Sequence, residues 1–250
     1  MCDLERRDSR RAFYSRRTCY RDGVRMPRST PLVLLAPLVA LLMVARPGAQ
    51  VPDAADLAQR VRARYARLSD FSGDFVQAYE GGVLRTRTTE RGTFAIRQPG
   101  QFRFVYEAPE RKEFVSDGVT IYSHLIADRQ VIVMPMPAPG QATTPVLFLA
   151  GRANLARDFT ASFTTLPEAA ANFTALRLVP RQPDPDYEWF ALAVEPSSLQ
   201  IRVLVAADRQ GGRSVFTFTN VKENRRLPDN TFRFRVPRGV DVIHHAAPPA

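Results

Sequence analysis

The sequence predicts an α+β chain in which antiparallel β-structure predominates, and three observations carry that expectation. Apolar and polar residues alternate at period two through much of the chain, turn signals punctuate those runs at short intervals, and only a few short stretches carry a helical period. A sheet with a single apolar face has to cover that face, and about three short helices are available to do so.

The elements follow in order. Asp53 is placed to cap a helix over about 54–68, because Leu57, Val61, Tyr65 and Leu68 recur at spacings of 4, 4 and 3 while Arg60, Arg62, Arg64 and Arg67 fall largely elsewhere. From Phe71 the period changes to two. Phe94 and Ile96 alternate with Thr93, Ala95 and Arg97, and Phe102, Phe104 and Tyr106 alternate with Arg103 and Val105. The pattern returns with Phe216 and Phe218, and again with Phe232, Phe234 and Val236, and both runs predict strands with one wet face. Residues 131–134 and 189–194 are apolar on both faces, as expected where a second layer covers the sheet.

Turn signals at Gly81-Gly82, Pro99-Gly100, Asp117-Gly118, 195–198, 210–212 and Pro228-Asp229-Asn230 imply a meander. A Pro-rich loop over 135–145 and a second over 183–186 interrupt it, and 146–149 with 154–159 predict one or two short helices. No internal repeat or linker marks a second domain. The inward set adds Phe114 and Phe190 to the aromatics above, Phe232 and Phe234 included. By pattern alone, that set describes an ordinary core more readily than a ligand cavity.

The N-terminal 50 residues do not read as part of this core. Residues 1–28 carry nine Arg against four acids, followed by the apolar run PLVLLAPLVALLMVA at 31–45. That run is too short for a membrane span of about 20 residues and has the length of a signal-peptide core. We expect residues 1–50 to be a basic extension and signal peptide with its natural start at Met26, residues 51–245 to form one domain, and 246–250 to be a disordered tail. A retained anchor with a basic cytoplasmic tail is the competing reading. Cys2 and Cys19 both lie in the leader, and no Cys follows the apolar run to carry an anchoring lipid, so the exported part is expected to be soluble.

The formal charge of +10 overstates the basicity of the domain, because ten of the 35 Lys+Arg and four of the 25 Asp+Glu precede residue 50. With no basic run after the leader, a nucleic-acid partner is not expected.

Enzyme chemistry is equally thin. The chain lacks G-x-S-x-G, and its histidines are His124, His244 and His245. Ser116 and Asp117 are neighbours in a strand and point to opposite faces, so they cannot line up with His124 as a relay. His244-His245 has no metal-ligand spacing, and no phosphate-cradling glycine motif occurs. No cofactor, metal or catalytic residue is expected.

The stretch from Gly92 to Pro109, GTFAIRQPGQFRFVYEAP, resembles the signature of the outer-membrane lipoprotein carrier (LolA) family: a Gly-led strand, a Pro turn, then an aromatic-x-Tyr-x-x-Pro strand. Ser116-Asp117-Gly118 with Ile121-Tyr122, the TPVLFLAG segment at 144–151, Asp208-Arg209-Gln210-Gly211, and the runs from Phe216 and from Phe232 follow in the family's order. The match spans about 54–243.

The resemblance implies an incomplete, unclosed β-barrel of about eleven strands, with a lid of short α-helices enclosing an apolar cavity. It implies acyl-chain contacts from Phe94, Ile96, Phe102, Phe104, Tyr106, Phe114, Phe148, Phe190, Leu192, Phe216 and Phe218, and lid contacts from Arg97, Gln98 and Leu147. It further implies a monomeric periplasmic carrier that takes lipoproteins from an inner-membrane ABC-type release complex to an outer-membrane receptor, with no covalent chemistry. A carrier or sensor of another lipid or glycolipid is the alternative, and a non-transport envelope protein or hydrolase on the same scaffold is a third.

Family members usually place Arg immediately before the turn proline, whereas here the order is Arg97-Gln98-Pro99. Either a bulge lets Arg97 serve, or neutral Gln98 makes a weaker lid contact. The Phe94, Ile96, Gln98 alternation assigns Gln98 to the lid and Arg97 to solvent.

Overall fold

The computed structural model describes residues 53–81, 86–138 and 145–245, apart from the side chains of Pro145 and Phe148. The expected basic extension, signal peptide and tail at 246–250 lie outside the described residues, as does the middle of the Pro-rich loop.

The first helix, α1, spans Ala54–Tyr65 and opens where Asp53 Oδ1 accepts from Ala55 N at 3.0 Å. It stops three residues before the pattern suggested. There the bonds tighten from four residues back to three, with Arg67 N and Leu68 N donating to the carbonyls of Arg64 and Tyr65.

Strands follow as β1 Phe71–Glu80, β2 Arg87–Arg97, β3 Gln101–Ala108, β4 Lys112–Asp117, β5 Thr120–Leu125 and β6 Gln130–Pro135. Two short helices, α2 Pro145–Leu149 and α3 Leu155–Asp158, separate these from β7 Phe159–Thr164, β8 Thr174–Pro180, β9 Tyr187–Val194, β10 Ile201–Asp208 and β11 Arg213–Glu223. A 3-10 turn at Asp229–Phe232 and β12 Asp241–His244 close the described chain.

The twelve strands of the described residues form one unclosed sheet, ordered β12-β6-β5-β4-β3-β2-β1-β11-β10-β9-β8-β7. Every pairing is antiparallel except β12 on β6. The count agrees with the roughly eleven expected, but the final strand lies elsewhere than the alternation suggested. Phe232, Phe234 and Val236 do not form a strand: the 3-10 turn and an irregular segment run there, and β12 forms later.

The inward direction expected of Phe232 and Phe234 is likewise corrected. Phe232 is buried under the Arg97 guanidinium, 4.9 Å from its ring, and Phe234 stacks on Tyr122 at 5.2 Å. Register puts Arg97 and Tyr122 on the face opposite Ile96 and Ile121, which belong to the interior cluster, so this strap covers the outside of the sheet. Alternation announces two faces but cannot say whether an apolar side chain meets the inside or a strap on the outside.

The concave face carries the main core, in which β-sheet aromatics meet Leu57, Val61 and Tyr65 of α1, Leu147 and Leu149 of α2, and Leu155 of α3. A second cluster sits on the outer face of β8–β11, where Leu166 and Phe173 from the β7–β8 connection cover Ala191, Ala193, Val203 and Val205. This second layer accounts for the run 189–194 being apolar on both faces. Asn220, at φ +52°, marks an irregularity in β11 opposite Ser72 and Asp74, and beyond it Val221 packs against the core while Asn220 stays exposed.

Candidate functional site

Cross-strand register arranges the concave face in rungs. Nearest the lid, Phe71 of β1 stands opposite Ile96 of β2, which stands opposite Phe102 of β3. The next rung pairs Phe94 with Phe104 and Phe104 with Phe114, and the one below carries Phe75, Gly92 and Tyr106. Edge-on and stacked contacts tie the rungs together: Phe75 lies 4.8 Å from Tyr106, Phe94 lies 5.8 Å from Phe104, and Phe94 lies 5.2 Å from Phe218.

Gly92 is required at this level, because a Cβ there would stand 1.9 Å from the Val105 carbonyl oxygen. Below it the β1–β4 part of the face turns polar, while Phe216, Leu204 and Leu192 continue the apolar surface at the level of Gln77 across β11, β10 and β9. The Tyr106 hydroxyl donates to Gln77 Oε1 at 2.6 Å, and Lys112 pairs with Glu90 at 2.7 Å with its ammonium 4.6 Å from the Tyr106 ring. Burial pushes the Tyr106 hydroxyl well above its ordinary pKa, and Glu90 adds to the rise.

The lid is closed over this face. Phe104, Ile96, Leu192 and Leu204 have no exposed surface. The void left among Tyr65, Phe71, Phe94, Leu149, Ile201 and Phe218 is about 10 Å³, room for about one water. A wider cleft of about 140 Å³ separates α1 from the α2–α3 turn and is lined by Val61, Arg62, Tyr65, Gln98, Leu149 and Leu155 among others. A ligand therefore reaches the aromatic rungs only if the helices move off the sheet.

Polar bonds tie the lid to the barrel at several points. Gln98 Nε2 donates to the Leu149 carbonyl at 3.0 Å, and Gly100 N donates to the Ala150 carbonyl at 2.8 Å. Gly151 allows the first contact: it has φ +76°, and a Cβ there would come within 2.7 Å of Gln98 Cδ. Helix α1 is held at its C-terminal half by Arg64, which grips both oxygens of Glu223 at 2.8 Å and the Ser198 carbonyl, and by the Tyr65 hydroxyl, which accepts from Ile201 N at 2.9 Å. Burial pushes the Tyr65 pKa up to about 12, and the Ile201 N–H opposes part of that rise.

Arg97 points to the opposite face, as alternation requires, yet not to open solvent. Its guanidinium binds Asp229 at 2.7 Å and the Leu227 carbonyl, pinning the outer strap.

Of the residues singled out from sequence, Phe94, Ile96, Phe102, Phe104, Tyr106, Phe190, Leu192, Phe216 and Phe218 lie buried in one concave cluster, and Phe114 is half-buried against it. Leu147 is buried on α2, and the Phe148 side chain lies outside the described residues. Phe71, Phe75, Leu176, Leu178 and Leu204 belong to the same cluster and were not singled out. Their spacing carried the signal, since 71 and 75, and 176 and 178, share a face. Ser116 and Asp117 serve turns: Ser116 Oγ accepts from Gly118 N, and Asp117 Oδ1 accepts from Val119 N and Thr120 N.

The family model for "Outer membrane lipoprotein carrier protein LolA" matches residues 66–235. The chain belongs to the LolA family. An outer-membrane lipoprotein carrier protein of Chromohalobacter salexigens is 31% identical over 187 residues, covering 74% of this chain and 86% of the relative. Its counterpart from Bordetella avium is 30% identical over 207 residues, covering 82% and 94%. Among solved structures, a LolA superfamily protein from Nitrosomonas europaea matches 74% of this chain and 99% of its own, at 13% identity and a TM-score of 0.42. LolA membership supports a lipoprotein-carrier role for this chain.

Proposed function

We propose that this chain is a periplasmic carrier that takes the acyl chains of lipoproteins between its lid and its concave sheet, and moves them from an inner-membrane ABC-type release complex to an outer-membrane receptor. One observation supports the reading: the apolar concave face is roofed by α1 and α2, which meet the sheet through identifiable polar ties at Arg64, Tyr65, Gln98 and Gly100, so these helices can part from it without breaking a strand pairing.

The physical need is plain. Each methylene withdrawn from water is worth about 0.8 kcal/mol, so an acylated protein does not cross an aqueous space with its chains exposed. Release is equally necessary. The lid side chains Leu57, Val61, Leu147 and Leu149 occupy the same apolar face that cargo would occupy. Closing the lid offsets part of the cargo's binding energy, which keeps affinity low enough for onward transfer. Binding and release need no covalent step.

The test is to incubate the purified chain with inner membranes that hold acylated lipoproteins and the release complex, then separate the membranes. Acylated lipoprotein appears in the soluble fraction, bound to the chain, if the reading is right. If the chain extracts free lipid or glycolipid and leaves the lipoproteins in the membrane, the carrier of another lipid is the correct reading.

A further inference from the structure

We propose that Tyr106 and Gln77 form the floor of the acyl site and set the longest chain it accepts. The inference rests on the carrier reading above and adds to it a determinant of chain length.

Three observations place the floor. Between the lid and Tyr106 the central rungs of the concave face are built from Phe71, Ile96, Phe102, Phe94 and Phe104. Such side chains can shift apart without giving up a hydrogen bond. At Tyr106 the character changes within one rung: the hydroxyl is tied to Gln77 at 2.6 Å, and the ring is braced by Phe75 at 4.8 Å and Phe114 at 5.6 Å. Beside Tyr106 in the same rung stands Lys112, which pairs with Glu90 one rung further along β2, with side chains only 23% and 14% exposed.

A methylene advancing past this rung would have to strip a buried hydroxyl of its partner and press against a charge pair. The strands also run close here, since no Cβ fits at Gly92 against the Val105 carbonyl. Every methylene above the floor adds affinity, and those beyond it add none.

The test measures binding of N-acyl lipopeptides to the purified chain, in a series whose saturated chain is lengthened stepwise. For the wild type, affinity should rise about fourfold per methylene, the equivalent of about 0.8 kcal/mol, up to a break and then level off. In the double variant Tyr106→Leu, Gln77→Leu the break should move to longer chains, with a gain of roughly fifteenfold for each two methylenes past the old break and no change for shorter chains. Tyr106→Phe keeps the packed ring and removes only the anchor, so it reports even if the double variant does not fold: chains just past the break should gain about threefold or more.

Phe102→Leu, at the lid end, should weaken all lengths alike and leave the break in place. A break that stays put in both Tyr106 variants overturns the floor while leaving the carrier reading intact. Failure of the wild type to bind any length overturns the carrier reading itself.

Discussion

Replacing Gln98 by Leu removes one polar tie between lid and barrel. The bond lost is a neutral one, 3.0 Å from Nε2 to the Leu149 carbonyl, at the edge of a cleft of about 140 Å³ that admits water to the freed carbonyl. The cost is therefore the net value of a neutral hydrogen bond, about 1 kcal/mol, and not the several-fold larger penalty of a stranded buried group. One kcal/mol shifts the balance between open and closed lid about fivefold.

The backbone tie from Gly100 to Ala150 remains, so the lid loosens without detaching. The Gly100 amide, bonded across to the lid at the Ala150 carbonyl, reports lid opening by hydrogen exchange. It should exchange about fivefold faster in Gln98→Leu. Arg97→Leu should leave it within about twofold of wild type, because Arg97 holds Asp229 and Leu227 on the other face of the sheet. The reverse pattern, with Arg97→Leu freeing the Gly100 amide and Gln98→Leu leaving it protected, would refute the assignment of faces.

Other expectations follow from the same geometry. The folded chain keeps the Tyr65 proton up to about pH 12, whereas an unfolded tyrosine releases it near pH 10. Its contribution is thus complete below pH 10 and falls between pH 10 and 12 by up to about 2–3 kcal/mol. Denaturant titrations should show that loss reduced in Tyr65→Phe, with the remainder carried by Tyr106 and Tyr187, whose pKa values burial also raises.

Asp70, 2% exposed, accepts from Arg225 N at 2.8 Å and Leu227 N at 3.1 Å. Asp70→Ala should cost about 2–4 kcal/mol and speed tryptic cleavage after Arg225 and Arg226, and an unchanged melting temperature would contradict that role. Phe104→Ala should lower stability by about 3–5 kcal/mol in denaturant and recover part of it when an acyl ligand is added, as an emptied rung would be refilled.

Much of the site was legible before any coordinates. Period-two runs around Phe94, Phe102 and Phe216 name residues that share the concave face, because side-chain direction in a strand is a local property. The Asp53 cap and the Gly100 and Gly118 turns belong to the same class, and both glycines do adopt positive φ. Arg97, the last residue of β2, was likewise assignable to the face opposite Ile96, while Gln98 follows it in the turn and reaches the lid from there. What Arg97 meets was not legible: the strap it binds lies 130 residues away, and no local pattern brings Leu227 and Asp229 to it.

Local chemistry, then, determined by itself which residues turn together and where the chain reverses, because alternation and turn preference act over a few residues. Tertiary structure alone decided that Phe232 and Phe234 cover the outside of the sheet, that β12 pairs parallel with β6, and that the three helices close on the aromatic rungs to leave about 10 Å³. Those outcomes depend on which of several apolar surfaces find each other. That choice is made by the area each pairing removes from water across the whole chain, which no short stretch of sequence encodes.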